Sequence, residues 1–175
     1  MDERLAILLH PVRMRLVHAM RAAGSLTTGE LCARLPDLPK ATVYRQVERL
    51  VRAGVFVIEG ERRVRGAVER RYRMPLEAAA VSVEDARSMT LEDHRQAFTA
   101  AMTALIADFG AYLDRDCADP TSDHVSYRQY VVWLSDEERT QFIEALARTV
   151  IAVARNGRGK TRTPHLLSTV FFPTM

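Results

Sequence analysis

The chain has 175 residues, of which 47% are hydrophobic and 27% are charged, enough material for one large domain or two small ones. It contains no long apolar run, and its N-terminus is acidic and lacks a small-residue cleavage site, so we expect neither a membrane span nor a secretory signal, and we assign the protein to the cytoplasm. The two cysteines, Cys32 and Cys117, lie far apart and outside any CxxC or Cys/His cluster, which argues against a disulfide framework and a structural zinc site.

The positive charge is concentrated in the N-terminal half of the chain. Residues 1–75 hold 15 Lys and Arg against 8 Asp and Glu, whereas residues 76–175 hold 10 against 14, and the net charge of the whole chain is +3. This asymmetry indicates that the N-terminal half meets a polyanion. Nucleic acid is the first candidate.

The beginning of the chain carries signals for three helices. Residues 2–9 alternate apolar and charged residues at helical spacing. A second helix begins at Pro11, which suits a first turn, and ends before Gly24. Thr27 and Glu30 have the spacing of a capping box and predict a short third helix.

A turn, a further helix and a hairpin follow. The segment PDLP predicts a compact turn, because two prolines cannot continue a helix. The next helix runs from about Lys40 to Ala53 and stops at Gly54. The runs VFVIE and AVERRYRM resemble strands, and the segment GERRVRG between them predicts a hairpin loop longer than two residues. This order of elements is that of a winged helix-turn-helix.

The helix after the PDLP turn has an outer face rich in hydrogen-bond donors. Val43, Val47 and Leu50 recur at helical spacing and can fill a core. Composition alone would also allow a solvated helix in a bundle. In a helix-turn-helix, however, the second helix places its N-terminal residues against base edges in the major groove. We therefore assign these residues to DNA binding: Lys40, Thr42, Tyr44, Arg45, Gln46 and Arg49.

The hairpin offers a second basic surface. Its loop carries Arg62, Arg63 and Arg65, which we also assign to DNA, because arginines at a tip suit phosphate contact or minor-groove insertion. The alternative is a solvated edge hairpin that charge protects from unwanted strand pairing.

Residues 3–74 resemble a known family. The segments HPVRMRLVHAM, TTGELCARL and LPKATVYRQVERLVRAGVF, together with the arginine-bearing hairpin, resemble the ArsR-like winged-helix transcriptional regulators of bacteria. The resemblance implies a homodimeric, operator-binding regulator whose recognition residues correspond here to Lys40, Thr42, Tyr44 and Arg45. The rest of the chain is similar to the dimerisation or effector half of the longer members that sense no metal.

One departure from the family pattern concerns metal. Metal-sensing members carry Glu-Leu-Cys-x-Cys before the recognition turn, whereas here Cys32 is followed by Ala33 and Arg34. A single thiolate cannot hold a soft metal alone, and the histidines show no ligand spacing with carboxylates on one helix. We expect no metal and no other cofactor.

The composition changes after Pro75. Ser82 and Asp85 suggest a turn of helix, and a seam of apolar residues from Leu91 to Tyr112 predicts a helix of about 25 residues that suits a core or a dimer interface equally. The runs VSYRQYVVWL and HLLSTVFF resemble strands. Between them, the capping-box pattern of SDEE opens a helix that Gly157 stops.

The aromatic residues of this half suggest two interpretations. They form either a small hydrophobic core, which aromatic stripes usually do, or a pocket for an apolar small-molecule effector. The residues of this candidate effector pocket are Phe109, Tyr127, Tyr130 and Trp133.

Together these patterns predict an α+β fold that is mainly α. Residues 1–75 form a winged helix-turn-helix domain, and residues 76–175 form a helix-strand-helix-strand domain for dimerisation and effector binding. The expected function is sequence-specific regulation of transcription by a homodimer on a pseudo-palindromic site in double-stranded DNA. A winged-helix protein-interaction module, or a nonspecific nucleic-acid binder, is the alternative. No catalytic arrangement is legible, so we expect no enzyme.

Overall fold

The computed structural model describes residues 9–64, 66–75 and 87–174. The chain divides into two compact units, Met1–Asp116 and Cys117–Met175. In the described ranges, no helix combines the length and apolar character needed to cross a membrane. The elements are α1 (Pro11–Ala23), β1 (Ser25–Thr27), α2 (Thr28–Arg34), α3 (Lys40–Arg52), β2 (Val57–Val64), β3 (Ala67–Arg73), α4 (Leu91–Leu113) and α5 (Asp136–Ala154).

Helix α1 begins and ends where the sequence predicts. The backbone N–H of Val12 donates to Nδ1 of His10 at 3.2 Å, and Pro11 occupies the first turn. Gly24 has φ +81° and its N–H donates to the carbonyl of Met20 at 2.7 Å, a conformation that glycine adopts without steric cost. The helix predicted for residues 2–9 lies, apart from Leu9, outside the described residues.

Helices α2 and α3 form the predicted helix-turn-helix. The capping box of α2 is present: the N–H of Thr27 donates to Oε2 of Glu30 at 2.7 Å, and the N–H of Glu30 donates to Oγ1 of Thr27 at 3.2 Å. The turn closes with a hydrogen bond of 3.1 Å from the N–H of Leu38 to the carbonyl of Leu35. Helix α3 then begins at Lys40, as predicted.

One apolar core holds α1, α2, α3 and the sheet together. Burial of these side chains fixes how α3 is presented, since each helix contributes one face to the same cluster. Its fully buried members are Leu16, Met20, Leu31, Val43, Leu50, Val55 and Phe56.

The three strands form an antiparallel sheet in the order β1-β3-β2. Val64 lies opposite Ala67, so the hairpin turns over two residues, and the predicted longer loop is wrong. Gly66 has φ +85°, which a two-residue hairpin turn favours, and β2 therefore continues almost to the tip. The strand keeps its pairing through an irregularity between Ile58 and Gly60.

Helix α4 belongs to the first unit and packs against α1. Its buried residues are Ala100 and Ala104. The apolar seam predicted on this helix lies on the side away from those two alanines, and its members Phe98 and Phe109 are exposed. The first compact unit therefore extends beyond residue 75 and includes α4. The division into a DNA-binding domain before residue 75 and a dimerisation and effector domain after it stays a prediction. The helical turn suggested by Ser82 and Asp85 falls outside the described residues.

The second unit contains α5 and irregular segments on either side of it. The predicted capping box is present, with hydrogen bonds of 2.8 and 3.2 Å between Ser135 and Glu138. The prediction of two strands in this unit is wrong, because residues 125–134 and 165–172 have no regular secondary structure. Strand propensity describes residues that fit a half-buried pleated surface, and these residues have no strand partner in the described part of the chain.

Candidate nucleic-acid interface

Helix α3 presents one cationic face outward and one apolar face inward. Val43, Val47 and Leu50 are buried in the core, as predicted. Tyr44 is 57% exposed. Lys40, Arg45 and Arg49 are also exposed, and Thr42 is half-buried at the edge of this face. The structure thus brings these five predicted residues onto one surface of the second helix of the helix-turn-helix.

Gln46 is the exception among the residues assigned to this helix. It is 3% exposed, and its Oε1 accepts a hydrogen bond of 3.5 Å from Nη1 of Arg13 in α1. Its placement on the outer face is therefore wrong. Gln46 follows Val43 by three residues and precedes Leu50 by four, so helical spacing puts it on the apolar face.

The outer face of α3 carries little compensating negative charge. Glu48 is the acidic residue of this helix, and it pairs with Arg52 one turn later. Within the described ranges, no carboxylate forms an ion pair with Lys40, Arg45 or Arg49. Uncompensated cations on a helix of this type suit the phosphates and base edges of DNA.

Two residues at the start of α1, the N-cap His10 and the buried Arg13, lie close to the cations of α3, and the sequence analysis missed them. Burial lowers the pKa of His10, and the charges of Arg13 and Arg49 lower it further. Burial also lowers the pKa of Arg13, with a further contribution from Arg49. The charges of Arg13, Arg49 and Arg45 therefore all act on the His10 imidazole and favour its neutral form. The sequence did carry a signal for the burial of Arg13, because this residue lies three positions before the buried Leu16 and so shares its face of the helix.

The hairpin of β2 and β3 forms the wing of this domain. Some of its arginines pair with carboxylates, and others are exposed. Nε of Arg70 lies 2.8 Å from Oε1 of Glu61, and Nη2 of Arg71 lies 3.0 Å from Oε1 of Glu30. Hydrogen bonds to these carboxylates raise the pKa values of both guanidinium groups. Arg62 and Arg63, near the tip of β2, are exposed and remain the candidates for DNA contact. Arg65, assigned to the same surface, lies outside the described residues.

Arg15 fixes the position of the turn that precedes α3. Its side chain is 4% exposed and donates to Asp37 of the turn at 2.5 and 3.0 Å. Its Nε also donates to Oδ1 of Asp108 in α4 at 2.7 Å, and Nδ1 of His18 lies 2.7 Å from Oδ2 of the same carboxylate. Three elements of the first unit are therefore joined through one guanidinium group.

These bonds set the charge state of the two carboxylates. The hydrogen bond from Arg15 lowers the pKa of Asp37. Burial raises the pKa of Asp108, but hydrogen bonds from His18 and Arg15 outweigh burial and lower it overall. Both carboxylates are ionised at neutral pH, which the buried Arg15 requires.

The described part of the chain contains no group of three or more His, Cys, Asp or Glu that could hold a metal ion. The candidate effector pocket stays a prediction. Phe109 belongs to the first unit, whereas Tyr127, Tyr130 and Trp133 belong to the second, where each of them is exposed and Trp133 is 93% exposed.

Comparison with known proteins agrees with this geometry. Residues 8–57 match a family described as a helix-turn-helix domain, and this range spans α1, β1, α2 and α3. No curated protein gives a significant match to the sequence. Residues 8–57 are therefore a helix-turn-helix domain, a type that indicates DNA binding and a regulatory role.

Proposed function

We propose that this protein is a bacterial transcriptional regulator of the ArsR-like type that binds a pseudo-palindromic operator in double-stranded DNA as a homodimer. The observation that carries the proposal is the outer face of α3. On a helix-turn-helix, that face presents Lys40, Tyr44, Arg45 and Arg49 to solvent and keeps the one acidic residue paired within the helix. Such a regulator acts in the cytoplasm, and it needs binding rather than catalysis.

The proposal assigns different tasks to α3 and the wing. Arg45 lies beyond the first turn of α3, where it can reach base edges, and a bidentate arginine–guanine contact contributes about 1–3 kcal/mol of discrimination. Arg63 lies near the wing tip, where contact with phosphate contributes affinity without sequence preference. Lys40 begins α3 and suits a backbone phosphate beside the helix N-terminus.

The two arginines give a matched test of these tasks. Arg45→Ala should weaken binding to the operator by about 5-fold to 150-fold and leave binding to random DNA nearly unchanged. Arg63→Ala should weaken binding to both DNAs alike and reduce the slope of log affinity against log salt by about one. Titration of both variants on a selected site and a scrambled site measures these effects. Equal losses on both sites for Arg45→Ala would exclude its base-reading role.

An effector response is the second part of the proposal. The rings of Tyr127, Tyr130 and Trp133 are available in the second unit for an apolar ligand. Trp133 is the only tryptophan, so its fluorescence reports binding in this unit alone. A change in Trp133 emission on titration with an apolar ligand, accompanied by a change in operator affinity, supports the proposal. Operator binding without any ligand response would leave a regulator that senses no effector.

A further inference from the structure

Helix α4 places one carboxylate against α1, the first helix of the helix-turn-helix domain. Ala100, Ala104 and Asp108 follow one another at spacings of four residues and therefore share one face of α4. The two alanines are 4% and 0% exposed, and α4 packs against α1. Small side chains at a contact let two helices approach closely. Asp108 accordingly lies within hydrogen-bond distance of both Arg15 and His18 of α1.

Both oxygens of the Asp108 carboxylate are engaged, which fixes its orientation. Oδ1 accepts a hydrogen bond of 2.7 Å from Nε of Arg15, and Oδ2 lies 2.7 Å from Nδ1 of His18. The other two nitrogen atoms of the Arg15 guanidinium group donate to the carboxylate of Asp37 at 2.5 and 3.0 Å. Because this group is planar and rigid, the position of one carboxylate determines where the other is held.

The start of α3 is held differently from the starts of the other helices. In the part of the chain that the structure describes, α1, α2, α4 and α5 each have an N-cap side chain that accepts a hydrogen bond from the first turn. The N-cap of α3, Pro39, makes no such bond. Asp37 lies three residues before Lys40, where α3 begins. The bonds from Arg15 to Asp37 therefore fix the entry to α3, which a capping side chain fixes in the other helices.

We propose that Asp108 is a positioning residue for DNA recognition, which acts through Arg15 and Asp37 on the orientation of α3. The inference rests on the proposed function and assigns a part in operator reading to α4, a helix outside the matched residues 8–57. The N-terminal residues of a recognition helix contact base edges, so a change in the direction of α3 alters the contacts that carry sequence preference. Asp108 should therefore affect the preference among DNA sequences more than the overall affinity.

The DNA titrations test this effect with a variant of unchanged size. Asp108→Asn removes the charge that holds Arg15, and it should lower the preference for operator over scrambled DNA by about 3-fold to 30-fold. Asp114→Asn is the matched control, because Asp114 is exposed at the end of the same helix, and it should leave the preference nearly unchanged. Removal of either negative charge favours binding to every DNA sequence, so the ratio of the two affinities is the quantity to compare.

A double variant shows whether Asp108 acts through the turn. In the Asp37→Asn background, Asp108→Asn should lower the preference by less than about 2-fold further, because the turn is already released. Asp37 is half-exposed, so this background should remain folded. Far-UV circular dichroism of each variant checks the fold.

Amide hydrogen exchange measured by NMR tests the positioning without DNA. The N–H of Leu38 donates to the carbonyl of Leu35 at 3.1 Å and closes the turn. In Asp108→Asn this N–H should exchange at least about 3-fold faster, because the turn opens more readily. The N–H of Glu30, in the capping box of α2, should keep its rate.

Four results would overturn the inference. They are an unchanged preference in Asp108→Asn, an equal further loss in the Asp37→Asn background, an unchanged exchange rate at Leu38, and an equal increase at Leu38 and Glu30, which a general loss of stability would give. A wild-type chain that prefers no operator would instead refute the proposed function. The two failures are distinct, because the exchange measurements use no DNA and report the connection from Asp108 to the turn by themselves.

Discussion

Arg15 is the side chain whose removal should most clearly destabilise the first unit, which contains the helix-turn-helix domain. It is 4% exposed and bonds to Asp37, which is 49% exposed, and to Asp108, which is 18% exposed. Arg15→Ala leaves Asp108 largely buried and bonded to Nδ1 of His18 at 2.7 Å. Water can rehydrate Asp37 but reaches Asp108 poorly.

The size of the effect follows from this difference in exposure. Breaking a buried ion pair by removing one partner typically costs about 3–5 kcal/mol, because the other charge stays buried. The half-exposed Asp37 places this case at the lower end, so we expect a loss of about 3 kcal/mol in the free energy of unfolding. The turn before α3 also loses its tie to α1 and α4, so operator affinity should fall as well.

Urea unfolding followed by far-UV circular dichroism measures the loss of stability. Trp133 fluorescence is unsuitable, because this residue lies in the second unit. Arg95→Ala is the matched control: Arg95 pairs with Glu92 on α4 at 2.6 Å, but both side chains are more than half exposed. Exposed pairs contribute about 0.2–1 kcal/mol. If Arg15→Ala costs no more than Arg95→Ala, the buried ion pairs do not stabilise the unit as argued.

Three further outcomes follow from the structure. The pKa values of Asp37 and Asp108 are lower in the folded protein than in the unfolded chain. Their contribution to the free energy of unfolding is therefore present above about pH 4 and is lost as the pH falls through the folded values. An acid titration followed by circular dichroism should show this loss. Gly66→Ala places a Cβ at φ +85° and should destabilise the wing by about 1–2 kcal/mol, whereas Gly60→Ala, which meets no atom within 4 Å, should change thermal stability much less. Gln46→Ala should lower the free energy of unfolding by about 1 kcal/mol and leave the preference for operator over scrambled DNA unchanged. If the titrations show that this preference is lost, Gln46 does contact DNA.

Local signals predicted the ends of the helices in both units well. Capping boxes at Thr27 and Ser135, the proline at position 11 and the glycine after α1 each act within one helical turn, so the residues themselves determine the boundary. The spacing of Val43, Val47 and Leu50 likewise predicted which face of α3 is buried.

Predictions that depended on distant partners succeeded less well. Residues 125–134 have the composition of a strand, but a strand forms only where another strand pairs with it, and sequence composition does not supply that partner. The burial of Arg15 required Asp37 and Asp108, which lie 22 and 93 residues away along the chain. Such long-range pairs are decided by tertiary packing, which helical spacing cannot show.

The central claim, that α3 reads a specific operator, is tested most directly by selection of genomic DNA with the purified full chain. The enriched site and a scrambled control are then titrated at two salt concentrations. We predict enrichment of an inverted repeat with half-sites about 34 Å apart and a preference of about 1,000-fold or more over the control. Equal affinity for both sequences, with a steep dependence on salt alone, would contradict the claim and leave a nonspecific polyanion binder or a protein-interaction module.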